Sequence, residues 1–532
     1  MKPVRQQRLA AILTFGVLSA IFSPSLAQQQ STNGTASSQP AYTLQQGTRI
    51  VLTDVTVTDN SGNPVHGLPA SAFHVFDNKK PQVVASFEEH AGLPAVKLVP
   101  TSHGVFTNDY LMHLPPVLNV IVIDIANIRI TDQMWLSYQL DRFLNNLPPE
   151  QLLAIYLRAD SGCFRVQDFT TDRRLLIAGL HKAIPRIPPL GREYLSDIDT
   201  LHQISGYLSR LPGRKNVLWF SGGSTAFLRR DGAVFQDQAA IRAVYDELER
   251  ERIAVYPIDA RGLTVHDGLE MAGQHGLMED AAQATGGRAF YNNNGLSQIA
   301  SHLVDTSGSF YTLTYSPFNF HFDNKWHKVR IKIDRSSYQL SYRQGYFADA
   351  QITNGQKAAQ PRKTLPGSGD RTEDQLRTNP IIFEAAVLPA SDSRLASLQP
   401  DSVIVRDPQT KKGPVSLSVR YSLPVDGLTG QTVDGKKKFV FQLAAIAINR
   451  DGHWTERNFE QVTLSYDQDS FRHRSTAPLV IDQQLSLAKD DEYLLLAVWD
   501  PSNGRFGILQ ISLPDPSFRR ESPGARQRLI SK

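Results

Sequence analysis

The chain has 532 residues, 41% of them hydrophobic, and carries 56 lysines and arginines against 52 aspartates and glutamates, a formal charge of +4. So small an excess gives no global pull toward nucleic acid or anionic lipid, and a single cysteine, Cys163, excludes a disulfide within the chain. A length of this order predicts about two to four domains, each held by its own hydrophobic core.

Lys2, Arg5 and Arg8 precede an apolar stretch from Leu9 to Phe22, and Ser25-Leu26-Ala27 sets small residues just before Gln28. This pattern predicts a secretory signal peptide over residues 1–27, cleaved between Ala27 and Gln28. The apolar run falls short of the roughly 20 residues that a spanning helix needs. An uncleaved N-terminal anchor is the alternative; no other segment is long and apolar enough to cross a bilayer. The mature chain is therefore expected to lack a transmembrane helix and to be secreted, or to act in the periplasm or cell envelope. Cleavage removes three basic side chains and no acidic one, so the net charge falls from +4 to +1.

Residues 28–43 are mostly Gln, Ser, Thr, Asn and Gly and are expected to be a disordered leader. From 44 to 112 the pattern is β: Val51, Thr53, Val55 and Val57 share one face, and turn chemistry follows at Asn60-Ser61-Gly62-Asn63-Pro64. Val117 to Asp124 is a near-continuous apolar run, as a strand buried on both faces requires. Helices are expected over about 131–146, from Asp172, and over 197–210, 236–252 and 276–285, with strands at 152–158, 162–168, 216–220 and 253–258. Such alternation predicts an α/β fold, a central doubly wound, Rossmann-like domain over 113–304. Residues 305–349 return to β patterning and are expected to pair with 44–112. A linker (350–378), a C-terminal antiparallel β-sandwich (379–515) and a frayed basic tail (516–532) complete the chain.

In open α/β sheets, ligands bind beyond the carboxyl ends of the strands. Asp124, Ser221 and Asp259 end three of the predicted strands, and Gly222-Gly223 lets the backbone turn away after Ser221. Catalytic motifs are missing: there is no His-Glu-x-x-His, no Gly-x-Ser-x-Gly and no phosphate-binding glycine loop. His266 and His275 lie after the Asp259 strand, so chain order permits a Ser221/His/Asp arrangement without specifying one. Cys163 sits among alternating apolar residues, as a buried small hydrophobe would. Trp219, Tyr256, Tyr311, Tyr315 and Trp326 alternate with apolar neighbours and are assigned to the core or a sheet face.

Asp124 after the first core strand, Leu211-Pro212-Gly213-Arg214-Lys215-Asn216-Val217-Leu218-Trp219-Phe220-Ser221-Gly222-Gly223, and Val255-Tyr256-Pro257-Ile258-Asp259-Ala260-Arg261-Gly262-Leu263 together resemble a von Willebrand factor A-type domain. More narrowly, the chain resembles the divergent group of such proteins known from Acidobacteria. Phe73-His74-Val75-Phe76-Asp77 upstream and Arg343-Gln344-Gly345-Tyr346-Phe347 downstream extend the resemblance over about residues 45–350. The resemblance implies a metal-ion-dependent adhesion site of Asp-x-Ser-x-Ser, a Thr from a second loop and an Asp from a third, holding Mg²⁺ or Ca²⁺ through hard oxygen donors. Here the first motif is Asp124-Ile125-Ala126-Asn127-Ile128, so both hydroxyls are lost. The second loop, Gly191-Arg192-Glu193-Tyr194, offers no Thr, and Ser221 stands at the third-loop Asp position. Asp124 is thus expected to be a weak metal ligand in a degenerate motif, with Asn127 or Glu193 as further oxygen donors if the loops shift. Without a metal, Asp124 is expected to cap its loop or bond Ser221, and Asp259 to close an Asx-type turn.

The expected function is non-enzymatic recognition or adhesion toward an unidentified protein or cell-surface partner, with no cofactor and no nucleic acid. The candidate binding edge is Asp124, Asn127, Glu193, Ser221 and Asp259. The alternatives are an envelope scaffold whose β domains bind while the central domain is a spacer, and a serine-type hydrolase.

Overall fold

The computed structural model describes residues 50–513 apart from 97–103, 185–195, 224–227, 264–267, 318–324, 349–379, 396–402, 406–414, 472–476 and shorter internal stretches. The expected leader, linker and tail, and Glu193 and His266 among the residues singled out above, lie outside the described residues.

The chain is mixed α/β. It opens with β1 (Val51–Thr58), β2 (Phe73–Asp77), β3 (Lys80–Gln82), β4 (Val84–Ala91) and β5 (Val105–Thr107). In β1 the residues Val51, Thr53, Val55 and Val57 are buried and those between them are not, the period-two pattern of a strand with one face on a core.

The central domain begins with β6 (Val117–Asp124), every residue of which is buried. It continues through α1 (Ile130–Asn146), β7 (Leu153–Ala159), β8 (Gly162–Thr170), α2 (Arg173–Ala183), α3 (Asp197–Leu208) and β9 (Arg214–Ser221). A short hairpin, β10 (Leu228–Arg230) and β11 (Ala233–Phe235), precedes α4 (Gln238–Arg250), β12 (Ile253–Asp259), α5 (Gly268–Thr285) and α6 (Leu296–Thr306). The sheet order is β12-β9-β6-β7-β8, with the first four strands parallel and β8 antiparallel to β7. That last strand departs from the parallel alternation expected. Only two residues separate β7 from β8, and a parallel return needs a crossover of a dozen or more. Leu136, Leu140 and Phe143 of α1, Leu176 and Leu180 of α2, and Leu296 and Ala300 of α6 pack with Ile121, Ile123 and Phe220 on one face. Ile198, Leu201 and Ile204 of α3 and Val244 and Leu248 of α4 pack with Val120, Val122, Val217 and Trp219 on the other. Cys163 is buried on this second face, and burial pushes its thiol well above the usual range.

The chain then returns through β13 (Ser309–Tyr315), β14 (Trp326–Ile333), β15 (Gln339–Tyr342) and β16 (Gly345–Phe347). These complete two four-stranded sheets, β15-β1-β13-β4 and β16-β14-β2-β3. Val55, Phe73, Val75, Tyr311, Val329 and Ile331 share their common core. At its end the buried Asp77 carboxylate accepts hydrogen bonds from Tyr346 at 2.6 Å and Tyr315 at 3.2 Å and faces His327 Nδ1 at 3.1 Å. Asp77 and Tyr346 come from the two distant sequence blocks that flank the central domain. Of the two roles expected for Trp326, core or sheet face, the side chain is not in the core: it opens β14, 39% exposed, with the Arg343 guanidinium 6.0 Å from its ring.

The C-terminal strands are β17 (Glu384–Pro389), β18 (Val403–Val405), β19 (Val415–Leu423), β20 (Gly430–Val433), β21 (Lys436–Asn449), β22 (Trp454–Tyr466), β23 (Leu479–Leu487), β24 (Asp491–Asp500) and β25 (Arg505–Ser512). They form the sheets β18-β23-β19-β17-β5 and β20-β21-β24-β25, with β22 also on β21. Asp434 and Gly435 take φ of 50° and 73° between β20 and β21, the left-handed pair that a two-residue hairpin favours. Two features differ from expectation. β18 runs parallel to β23, so the unit is not wholly antiparallel. And β5 pairs with β17, so the segment before the central domain contributes to this sheet as well. The unit is docked rather than free: Ser512 Oγ donates to Val166 O at 2.6 Å, Gln510 Nε2 donates to Arg165 O, and Tyr493 meets Phe164 edge-on at 5.6 Å. These contacts cover the β8 edge of the central sheet, which would otherwise present unpaired carbonyls.

Candidate functional site

Parallel register fixes which side chains meet at the carboxyl edge of the central sheet. Asp124 stands opposite Arg158 of β7, and Ser221 opposite Asp259 of β12. With Ile123 opposite Phe220, the four polar residues form one row across four strands. The row points to the face covered by α3, α4 and α5, because side chains alternate along each strand and Val122, Tyr156 and Trp219 two residues earlier face that way.

Asp124 and Arg158 are sealed from solvent, at 0% and 1% exposure. Arg158 Nη1 donates to Asp124 Oδ2 at 2.8 Å and to Asp197 Oδ1, in the first turn of α3, at 2.6 Å. Ser221 Oγ at 2.9 Å, Asn127 Nδ2 at 2.8 Å and, more loosely, Trp219 Nε1 at 3.4 Å also approach Asp124 Oδ2. Asp124 Oδ1 is buried with no hydrogen-bond partner among the described residues. Burial raises the Asp124 carboxyl above its ordinary value; Arg158 opposes that rise and Asp197 adds to it. Burial works against the Arg158 charge too, but the two carboxylates outweigh it and keep the guanidinium protonated. The helix holding Asp197 is fixed by a capping box, Ser196 with Asp199.

The loops above this row pack closely. A Cβ on Gly222 would lie 2.1 Å from the Asn127 carbonyl oxygen, so only glycine lets the loop after β9 close over the loop after β6. Ser221 Oγ also approaches Gly223 O. Asp124 therefore both closes its own loop, through Asn127, and bonds Ser221.

Asp259 forms the Asx turn expected of it, accepting from the Arg261 backbone N–H at 3.0 Å. It also takes two bonds from the Arg261 guanidinium, at 2.9 and 2.7 Å, and lies 3.1 Å from His275 Nε2. Burial alone would raise its pKa, but the bonds and charge of Arg261, with the His275 bond, hold it below the ordinary carboxylate range. His275 stacks on Tyr291 at 4.1 Å. The imidazole is thus engaged with Asp259, while the Ser221 hydroxyl faces Asp124 and Gly223.

Beneath the row lies a small cavity of about 40 Å³ between the β9–β12 half of the sheet and helices α3, α4 and α5; Asp197 and Ser221 form its polar end, and Trp219, Tyr245, Pro257 and Met278 its apolar wall. Outside it, α1 carries a feature that the sequence reading missed. Ile130, Met134, Trp135 and Tyr138 are all exposed, at 40%, 67%, 40% and 54%, on the helix that starts just after the Asp124 loop. Trp135 and Tyr138 lie 5.9 Å apart. The available signal was an apolar set at 130, 134 and 138, one helical face distinct from the buried Leu136, Leu140 and Phe143. Arg158 was also missed, although a lone charge ending the apolar run Leu152 to Leu157 is an anomaly visible in the sequence.

Among the described residues, the edge as folded, with Arg158 in place, does not accommodate the divalent cation that the von Willebrand resemblance implies. Arg158 Nη1 lies between the Asp124 and Asp197 carboxylates, and among the described residues no group of three His, Cys, Asp or Glu side chains is placed to hold a metal ion. No protein-family model matches the chain, and no curated protein matches it in sequence. Solved structures similar to it include a point mutant of the PilB minor pilin from Streptococcus sanguinis, at 11% identity and a TM-score of 0.27, covering 36% of this chain and 61% of that one. A von Willebrand factor type A protein from Catenulispora acidiphila has 9% identity and a TM-score of 0.26, covering 42% and 66%. The SpRpn10 VWA domain has 16% identity and a TM-score of 0.23, covering 33% and 86%. The chain thus spans less than two thirds of the first two. The likeness to von Willebrand factor A domains is weak, and scores this low carry no functional argument.

Proposed function

We propose that this chain is an exported, non-enzymatic recognition protein of the adhesion type, and that α1 at the carboxyl edge of its von Willebrand A-like domain presents the partner-binding surface. The observation that carries this reading is the exposed set Ile130, Met134, Trp135 and Tyr138. Contiguous exposed apolar side chains on an otherwise well-packed domain mark contact sites, and Trp and Tyr give large contact areas at low entropic cost. The partner is a protein or surface component met after removal of residues 1–27, in the envelope or outside the cell. The blocks Phe73–Asp77 and Arg343–Phe347 favour the divergent Acidobacterial group within the wider family.

The test uses the mature chain, 28–532, and a Trp135→Ser/Tyr138→Ser variant whose circular dichroism and melting match the parent. Saturable binding to washed envelope fractions of the source cells is expected for the parent, unaffected by EDTA, and at least about tenfold weaker for the variant. Equal binding by both chains would contradict the assignment of the surface to α1.

A further inference from the structure

Two carboxylates buried side by side repel one another strongly, and a protein holds them either by protonating one or by placing a cation between them. In the von Willebrand resemblance that cation is a diffusible metal ion. Here the space between Asp124 Oδ2 and Asp197 Oδ1 holds Arg158 Nη1, 2.8 and 2.6 Å away, distances typical of charge-assisted hydrogen bonds. Register explains how it arrives there: Arg158, the penultimate residue of β7, stands directly beside Asp124. Its side chain rises to the edge on the face where α3 begins.

We infer that the Arg158 guanidinium is a covalently tethered replacement for a divalent cation, and that an oxygen-donor site for Mg²⁺, Mn²⁺ or Ca²⁺ lies latent beneath it. The donors of the latent site are the carboxylates of Asp124 and Asp197 and the Ser221 hydroxyl. The buried Asp124 Oδ1, unpaired among the described residues, adds a second oxygen from the same carboxylate. All are hard oxygens, the donor set that these cations select. Wild-type protein is therefore constitutively closed to metals, and its edge geometry does not respond to divalent cation concentration. This inference concerns the ionic core of the edge and stands whether or not α1 binds a partner.

The test is thermal unfolding of the mature chain with and without millimolar MgCl₂, MnCl₂ or CaCl₂. Wild-type melting is expected to move by less than about 1 °C, whereas Arg158→Ala is destabilised without cation and regains at least about 3 °C with one of the three. Adding Asp197→Asn to Arg158→Ala should abolish that gain. A wild-type shift lost on Asp124→Ala would overturn the inference, as would a folded Arg158→Ala chain that ignores all three cations. If Arg158→Ala folds only when refolded with a cation, the inference is supported. If it folds under neither condition, the Arg158→Ala/Asp197→Asn chain, with one carboxylate charge fewer, decides. Folding without metal shows that the guanidinium acts by cancelling charge, and failure to fold overturns the proposal.

Discussion

Arg158 Nη1 lies 2.8 Å from Asp124 Oδ2, and neither side chain touches solvent. The bond joins the ends of β6 and β7, and a second bond from the same nitrogen reaches Asp197 and so pins the start of α3. One guanidinium thereby fixes two strands and a helix at the edge where this class of sheet places its ligands. An arrangement so fully engaged serves as a rigid support, and the surface proposed for recognition is instead the exposed face of α1.

Ser221 should be chemically inert. A serine nucleophile needs a base that takes its proton, but this hydroxyl meets Asp124, whose charge is already committed to Arg158, and the Gly223 carbonyl. Incubation of the mature chain with a fluorophosphonate probe is expected to give no adduct by intact-mass measurement. Stoichiometric labelling at Ser221, lost on Ser221→Ala, would show that the edge is catalytic.

The Asp259 cluster should make part of the stability acid-sensitive. Its carboxyl is held below the ordinary value of about 3.9, so its contribution is complete above that unfolded-state value. It is lost as pH falls through the lower folded-state value. Urea midpoints of wild type and Asp259→Asn, compared from about pH 6 down to about pH 2, should therefore converge as the acid end is approached. A gap that stays constant or widens with acidification would contradict this account of Asp259.

The β unit flanking the central domain depends on a buried carboxylate read by two tyrosines. Tyr346→Phe removes the 2.6 Å bond to Asp77 and leaves that group with Tyr315 and His327. A loss of about 1–3 kcal/mol is expected from denaturant unfolding, the cost of leaving a buried polar group short of a partner. A change below about 0.5 kcal/mol, as at an ordinary surface position, would show that the contact does not hold the two sequence blocks together.

Much of this edge was legible in the sequence because local physics determines it. Val117–Asp124 is apolar on both faces, so a buried strand ending in an acid could be read directly, as could Ser221 before two glycines and Asp259 in its Asx turn. Arg158 and Asp197 escaped because their meaning is relational. A charged residue ending a strand looks solvated until register sets it beside Asp124, and its second partner lies 39 residues further on. The start of α5 at Gly268 rather than 276 was hidden by Gly273 and Gly276, which lower helix propensity while tertiary packing retains the helix. The pairing of β5 with β17, across more than 270 residues, left no local trace.

The most direct measurement of the central claim is a double-mutant cycle on Asp124→Ala and Arg158→Ala, followed by urea unfolding and tryptophan fluorescence, to which Trp219 beside the pair contributes. Arg158→Ala strands the buried Asp124 carboxylate and is expected to cost about 3–5 kcal/mol, whereas Asp124→Ala leaves Arg158 bonded to Asp197 and costs less. The double variant should lose well under the sum, a coupling above about 1 kcal/mol. Effects that add to within about 0.5 kcal/mol would contradict the account, because Arg158 would then not be the cation that Asp124 requires.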